Sequence, residues 1–104
     1  MMEILRSGEG ETAHMEVVGE LDIASGPKLD AAVHEALGEG ARELVIDLGG
    51  ATFVDSAGLG ALIRAVRTVD EEHASMSVVS PPGSEARLVI EMARVGGVVG
   101  LRDP

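Results

Sequence analysis

The sequence contains no cysteine, no tryptophan and no tyrosine, and its only aromatic residue is Phe53. Without cysteine there is no disulfide framework, no thiolate metal site and no cysteine nucleophile. With one aromatic ring, the chain lacks the stacking surface on which single-stranded nucleic acids bind. Its core must therefore be built from aliphatic side chains, which are plentiful, because hydrophobic residues make up 45% of the chain.

Basic residues are also scarce. Eight lysines and arginines stand against 18 aspartates and glutamates, which gives a formal net charge of −10. Because a polyanion would be repelled, the chain is a poor direct partner for nucleic acid or an anionic membrane, and a basic protein surface is a better match. The acidic residues show no metal-ligand spacing, and the single lysine, Lys28, lies far from any glycine-rich loop. The sequence therefore predicts neither a metal nor a nucleotide cofactor.

Long apolar runs are absent as well, since none approaches the roughly 20 residues that span a bilayer. The N-terminal residues Met2 to Arg6 have the pattern of a strand rather than of a signal peptide. A length of 104 residues suits one domain and leaves no room for a second. We therefore expect a single domain over residues 1–104, located in the cytoplasm.

Alternation and helical spacing indicate the first elements. Thr12 to Leu21 alternates between apolar and polar side chains, as in a strand with one face on the core. Ser25-Gly26-Pro27 begins a first helix that ends at Gly38, and Leu44 to Leu48 predicts a central strand. A second helix follows, with the inward residues Leu59, Leu62, Ile63, Val66 and Val69.

The last quarter of the chain predicts three more elements. Ser75 to Ser80 has the pattern of a strand, and Ser84 is a suitable N-cap for a third helix that closes at Gly96-Gly97. Val98 to Leu101 predicts a short final strand. The inward side of the third helix is expected to carry Leu88, Val89, Met92 and Val95.

The resulting order, β-β-α-β-α-β-α-β, predicts an α/β fold. It has an opening hairpin, followed by helices and strands that alternate in a mixed sheet. The strand from Leu44 to Leu48 is apolar except for Asp47, so we expect helices to cover at least part of both faces of the sheet.

The Asp55-Ser56 pair is the most informative feature of the sequence. It follows an apolar strand and opens the second helix, where free N–H groups and the positive end of the helix dipole favour an anion. A serine at this position is a cap, a nucleophile or a phosphorylation site. Because only one of the two residues can occupy the cap position, we expect the other to be exposed. Gly58 and Gly60 are expected to clear space for another molecule.

A nucleophilic role for Ser56 lacks a base. The surrounding residues are not a Gly-x-Ser-x-Gly elbow, because Val54 stands where the first glycine belongs. The three histidines, His14, His34 and His73, have no sequence context that predicts contact with Ser56. The sequence therefore predicts no catalytic residue.

A second loop, Gly19-Glu20-Leu21-Asp22, also leads from a strand into a helix, and Asp22 or Ser25 can satisfy backbone N–H groups there. Loops after the carboxyl ends of parallel strands gather at one edge of a sheet. Asp22 and Ser56 are therefore expected at the same edge if their strands run parallel. Two acidic loops around one serine would then form a single docking patch.

Three segments together resemble the STAS domain family, and within it the bacterial anti-sigma-factor antagonists. They are Gly19-Glu-Leu-Asp-Ile-Ala-Ser25, Leu44-Val-Ile-Asp-Leu48 and Phe53-Val-Asp-Ser-Ala-Gly-Leu-Gly60. The resemblance extends over nearly the whole chain. It implies a STAS-type mixed β-sheet of four to five strands with interspersed helices packed on it.

The resemblance also implies a partner-switching function without enzymatic activity. Members of this family bind an ATP-bound anti-sigma factor that is also a serine kinase, and thereby free a sigma factor. The kinase phosphorylates the motif serine, here Ser56, which ends the binding, and a phosphatase reverses the change. The partner-binding positions that the resemblance implies are Asp22, Ser25, Asp55, Ser56, Ala57, Gly58, Leu59 and Gly60.

Two other functions stay open. A STAS-type subunit of another assembly, such as a lipid-transport or stress-sensing complex, would use Ser56 only as contact surface. A small serine hydrolase would use the same residue as its nucleophile.

Overall fold

A computed structural model describes residues 1–104. The elements are β1 (Met2–Ser7), β2 (Thr12–Leu21), α1 (Gly26–Gly38), β3 (Glu43–Val54), α2 (Ser56–Glu71), β4 (Ser75–Val79), α3 (Glu85–Met92), α4 (Gly96–Val99) and β5 (Leu101–Arg102). The predicted order of elements is confirmed, with the short helix α4 as an addition. No helix combines the length and the apolar content needed to cross a bilayer.

The strands form one sheet in the order β1-β2-β3-β4-β5. β1 pairs antiparallel with β2, and the other pairings are parallel. The parallel register places Leu21, at the end of β2, beside Val54, at the end of β3. The predicted α/β fold, a mixed sheet of four to five strands with helices packed on it, is therefore confirmed.

The core lies between the sheet and the helices. Alternation turns Met15 and Val17 of β2 toward it, and β3 contributes Leu44 and Ile46, all four fully buried. All four helices add residues to the same cluster, which contains no aromatic ring. Full burial of an aliphatic side chain of this size contributes about 1.5–3 kcal/mol, so aliphatic residues suffice to build the core.

The opposite face of the sheet is open along the hairpin, and the prediction that helices cover part of both faces is wrong. Leu5 on β1 is 50% exposed, and Val18 on β2 is 36% exposed. Val45 of β3 is nevertheless buried, and its register partners on the neighbouring strands are His14 and Ser77. From β2 onward each strand is added on the same side of its predecessor. Since connections between parallel strands are almost always right-handed, this order puts the helices on one face, in agreement with the single core cluster to which all four contribute.

The orientation of α3 also differs from the prediction. Its buried residues are Ala86 and Ile90, whereas Leu88 is 55% and Met92 is 75% exposed. Of the four residues predicted to face inward, Leu88 and Met92 therefore face solvent, whereas Val89 and Val95 are partly buried and pack against the core. Both stripes have helical spacing, and periodicity alone does not reveal that the helix packs through the small Ala86.

The chain after α3 departs from the prediction too. Residues 96–99 form the short helix α4, and the last strand is Leu101–Arg102 rather than Val98 to Leu101. α4 ends at Gly100, whose φ of 72° favours glycine, and an added Cβ there would lie 2.8 Å from the Met76 carbonyl oxygen. A glycine is required at this point because the chain turns closely past β4 to enter β5.

Candidate functional site

The carboxyl ends of β2 and β3 lie side by side at one edge of the sheet. Leu21 and Val54 are register partners, and the Asp55 N–H donates to the Leu21 carbonyl oxygen at 3.4 Å. The loops that carry Asp22 and Ser56 therefore start from neighbouring positions, as expected for parallel strands.

Asp55 is the N-cap of α2. Its backbone is extended, with φ −104° and ψ −173°, and its Oδ1 accepts a hydrogen bond from the Gly58 N–H at 2.8 Å. The Leu59 N–H donates to the Asp55 carbonyl oxygen at 2.9 Å and closes the first helical turn. Such a cap contributes about 1 kcal/mol, and it leaves no capping role for Ser56.

Ser56 is the first residue of α2, and it is exposed. Its hydroxyl makes no side-chain hydrogen bond, whereas the carboxylate of Asp55 is held by the helix. The free hydroxyl lies at the positive end of a 16-residue helix, where solvent or another protein can reach it. This geometry suits a group that is modified or contacted by a partner.

The residues after Ser56 differ in what they offer to a partner. Gly58 and Leu59 are buried, while Ala57 and Gly60 are half-buried. An added Cβ at Gly58 would overlap the Leu21 carbonyl oxygen, so this glycine permits close packing of α2 against β2. The interpretation that Gly58 clears space for another molecule is therefore wrong. At Gly60 an added Cβ would meet only the end of an arginine side chain, 3.7 Å away, so that position does leave space.

The loop after β2 is held together by its own polar side chains. The Asp22 Oδ1 accepts hydrogen bonds from the N–H groups of Ala24 and Ser25, each at 3.0 Å. The Ser25 Oγ accepts from the Asp22 N–H at 2.9 Å and donates to the Glu20 carbonyl oxygen at 2.7 Å. The bond from the Ser25 N–H is the main reason that the pKa of the Asp22 carboxyl lies below its ordinary value.

Asp22 and Ser25 are therefore engaged within the chain. Ser25 precedes α1 without capping it through its side chain, because its hydroxyl belongs to the loop. The predicted partner-binding polar residues thus divide into two kinds. Asp22, Ser25 and Asp55 have internal hydrogen-bond partners, whereas the hydroxyl of Ser56 has none.

No histidine contacts Ser56. The His14 Nε2 lies 3.6 Å from the Asp47 Oδ2 on the open face of the sheet. The His34 Nδ1 lies 2.9 Å from a backbone carbonyl of its own helix, and His73 follows the far end of α2. The serine–histidine pair that a hydrolase needs is not formed at Ser56, so the nucleophile hypothesis gains no support.

Two exposed apolar residues at this edge escape prediction from the sequence. Ile23, in the loop after β2, is 80% exposed, and Phe53, near the end of β3, is 43% exposed. Ile23 is the one large apolar side chain in its loop, and this isolation could have indicated from the sequence that it is exposed. Phe53 lies opposite Glu20 in the register of β3 with β2, a pairing that the sequence pattern does not reveal.

The family model STAS_2, described as "Mlab, STAS domain", matches residues 4–103. Several solved structures with the same fold are described as anti-sigma factor antagonists. SpoIIAA, a Bacillus protein, in its unphosphorylated form is 17% identical with a TM-score of 0.80, over 98% of this chain and 88% of that chain.

Two further structures come from other organisms. The antagonist from Mycobacterium paratuberculosis is 24% identical with a TM-score of 0.82, over 97% of this chain and 85% of that one. The STAS domain of an antagonist from Rhodobacter sphaeroides is 26% identical with a TM-score of 0.57, over 75% and 83%. At the identities of SpoIIAA and the mycobacterial protein, the likeness establishes a shared fold and not a shared activity.

Proposed function

The chain belongs to the STAS_2 family, and we propose that it is an anti-sigma-factor antagonist whose binding to an anti-sigma factor is ended by phosphorylation of Ser56. The exposed Ser56 hydroxyl, which has no side-chain hydrogen bond and stands at the N-terminus of α2, carries the proposal. In this proposal residues 1–104 act as a single STAS domain in the cytoplasm. The chain itself catalyses no reaction and contacts neither nucleic acid nor membrane.

The structural relatives support a phosphorylation switch. SpoIIAA is described as an anti-sigma factor antagonist and has been solved in both unphosphorylated and phosphorylated forms. At least one protein with this fold is therefore phosphorylated. By analogy, we assign the phosphate acceptor of this chain to Ser56.

The proposed partner is an ATP-bound anti-sigma factor that is also a serine kinase. The Ser56 Oγ attacks the γ-phosphorus of ATP, the bond to the β-phosphate oxygen breaks, ADP leaves and the hydroxyl proton passes to a base of the kinase. A phosphatase restores the hydroxyl by transfer of the phosphoryl group to water. The chain supplies only the acceptor oxygen, which must come within about 3–3.5 Å of the phosphorus, and an exposed helix N-terminus permits that approach.

The physical basis of the switch is a change of charge and volume at the contact. A phosphate adds about −1.5 to −2 charges at pH 7. The adjacent Asp55 carboxylate opposes that charge, while the dipole of α2 compensates part of it. A loss of about 1.4 kcal/mol weakens binding tenfold, and a phosphate placed in a desolvated contact costs more than this. The switch therefore requires no movement of the fold.

The test compares variants in their binding to a purified anti-sigma-factor kinase. Ser56→Ala is expected to keep the fold and to bind constitutively, whereas Ser56→Asp is expected to bind at least about tenfold more weakly. Ser75→Asp is the matched control. Ser75 is exposed and lies at the amino end of β4, whereas Ser56 follows the carboxyl end of the parallel strand β3. Equal affinity of Ser56→Ala and Ser56→Asp would contradict the switch. Intact-mass analysis of the protein from its native cell, with fragmentation, locates the phosphate independently.

A second candidate is a STAS-type subunit of another assembly, such as a lipid-transport or stress-sensing complex. The description of the matching family model favours it, because that description names Mlab rather than an anti-sigma factor antagonist. In this case Ser56 is contact surface only. Stable copurification with a transporter ATPase, together with an unmodified Ser56, would support this function over the first.

A further inference from the structure

A small apolar cavity opens on the surface between the end of β3 and the first turns of α3. Its volume is about 250 Å³, and it is lined by Phe53, Val54, Glu85, Leu88 and Val89. Two of its lining residues are large apolar side chains that remain exposed: Phe53 is 43% and Leu88 is 55% exposed. Neither side chain is needed to close the core, which α3 reaches through Ala86 and Ile90.

The cavity lies a short span of chain away from Ser56. Phe53 precedes Ser56 by three residues, a span of chain that reaches at most about 11 Å. A protein contact of ordinary size covers about 800 Å² on each partner, which corresponds to a disc of about 16 Å radius. A contact of this size centred on the Ser56 hydroxyl is therefore large enough to reach the cavity as well.

We propose that the kinase partner anchors an apolar side chain in the cavity between Phe53 and Leu88, and that this contact supplies affinity while Ser56 supplies the switch. The inference rests on the proposed function, because it names a second contact of the same partner. The Glu85 carboxylate on the rim, on a chain with a net charge of −10, specifies a lysine or arginine beside the anchoring side chain.

The arrangement separates two tasks that one residue cannot perform together. A contact made only by the Ser56 hydroxyl is too small to hold a partner, because most of the binding energy of an interface comes from a few buried apolar or arginine anchors. An anchor in the cavity holds the partner while the hydroxyl is free. Once Ser56 is phosphorylated, the charge and volume of the phosphate weaken the binding, and the anchor is the only favourable contact of the two that is left.

The test measures phosphorylation of Ser56 by the purified kinase with ATP, as KM and kcat for the chain. Phe53→Ala and Leu88→Ala are expected to raise KM at least about tenfold with kcat unchanged, because they remove binding that is present before and during phosphoryl transfer. Leu5→Ala is the matched control. Leu5 is 50% exposed, similar to Leu88, but it lies on β1, the outermost strand of the sheet. The KM of the Leu5→Ala variant is expected to stay within about twofold of wild type.

The outcomes distinguish this inference from the proposed function. If wild type is phosphorylated on Ser56 and both cavity variants keep the KM of Leu5→Ala, the inference is wrong and the proposed function stands. If the wild-type chain self-associates and Leu88→Ala abolishes that association without a change in KM, the occupant is a second copy and the inference is again wrong. If the kinase neither binds nor phosphorylates the wild-type chain, both fail together. Urea unfolding of each variant verifies that its fold is intact.

Discussion

Two loops at one edge of the sheet carry the same pair of residue types, an aspartate and a serine, and use them differently. In the loop after β2, Asp22 and Ser25 bind each other and the neighbouring backbone. In the loop after β3, Asp55 holds the Gly58 N–H and the side chain of Ser56 binds nothing in the chain.

The difference follows from spacing. Asp22 and Ser25 are three residues apart, so they close a turn in which each side chain satisfies a backbone N–H of the other. Asp55 and Ser56 are adjacent, so only one of them can turn back to cap the helix. A serine engaged in a turn maintains structure, whereas a serine displaced from the cap stays available to another molecule.

Phosphate incorporation is the sharpest test of this contrast, because the expected effect is complete. With the kinase and ATP, wild type is expected to take up one phosphate, and Ser56→Ala none. Ser25→Ala is expected to take up as much as wild type, since the Ser25 hydroxyl is held within its own loop. Intact-mass measurement with fragmentation checks this, and a phosphate found on Ser25 would remove the distinction between the loops.

The next largest effect concerns the contact that joins the two loops. Gly58→Ala is expected to destabilise the fold by about 2–3 kcal/mol, because the new Cβ would overlap the Leu21 carbonyl oxygen. Gly60→Ala, in the same helix with open space around it, is the control and is expected to stabilise by up to about 1 kcal/mol. Urea unfolding measures both. A Gly58→Ala variant as stable as Gly60→Ala would show that α2 can shift away from β2.

A smaller effect separates the two serines by stability. Ser25→Ala is expected to cost about 1–2 kcal/mol, because the Asp22 N–H and the Glu20 carbonyl lose a partner. Ser56→Ala is expected to stay within about 0.5 kcal/mol of wild type, since its hydroxyl has no partner to lose. Parallel thermal or urea unfolding decides the matter. Equal losses for the two variants would mean that the Ser56 hydroxyl is engaged after all.

The smallest effect is a dependence of stability on pH from Asp22. Its pKa is lower in the folded chain than in the unfolded one, so the ionised carboxylate favours the fold above its ordinary pKa. That contribution is lost as the pH falls through the lowered pKa, below about pH 4. Asp22→Asn is expected to differ from wild type at pH 6 and to converge with it in acid. A difference that stays constant down to pH 2 would contradict the role of the charge.

The pattern of single segments predicted much of the fold and part of the site. Alternation over Thr12 to Leu21 gave a strand of those same bounds, and the adjacency of Asp55 and Ser56 predicted a helix start with one residue exposed. Packing between segments was predicted less well. The inward face of α3 was predicted only in part, because Val89 packs against the core whereas Leu88 and Met92 are exposed. Two stripes of helical spacing were available, and periodicity alone did not choose between them.

Local sequence patterns were sufficient to predict the alternation of strands and helices, the aliphatic core and the competition between two adjacent cap residues. These features depend on residues a few positions apart, where backbone geometry and hydrogen bonding are local. Packing between distant segments decides that Gly58 accommodates the Leu21 carbonyl and that Phe53 and Leu88 remain exposed. Each of these features depends on the close approach of segments far apart in the chain, which short-range patterns do not encode.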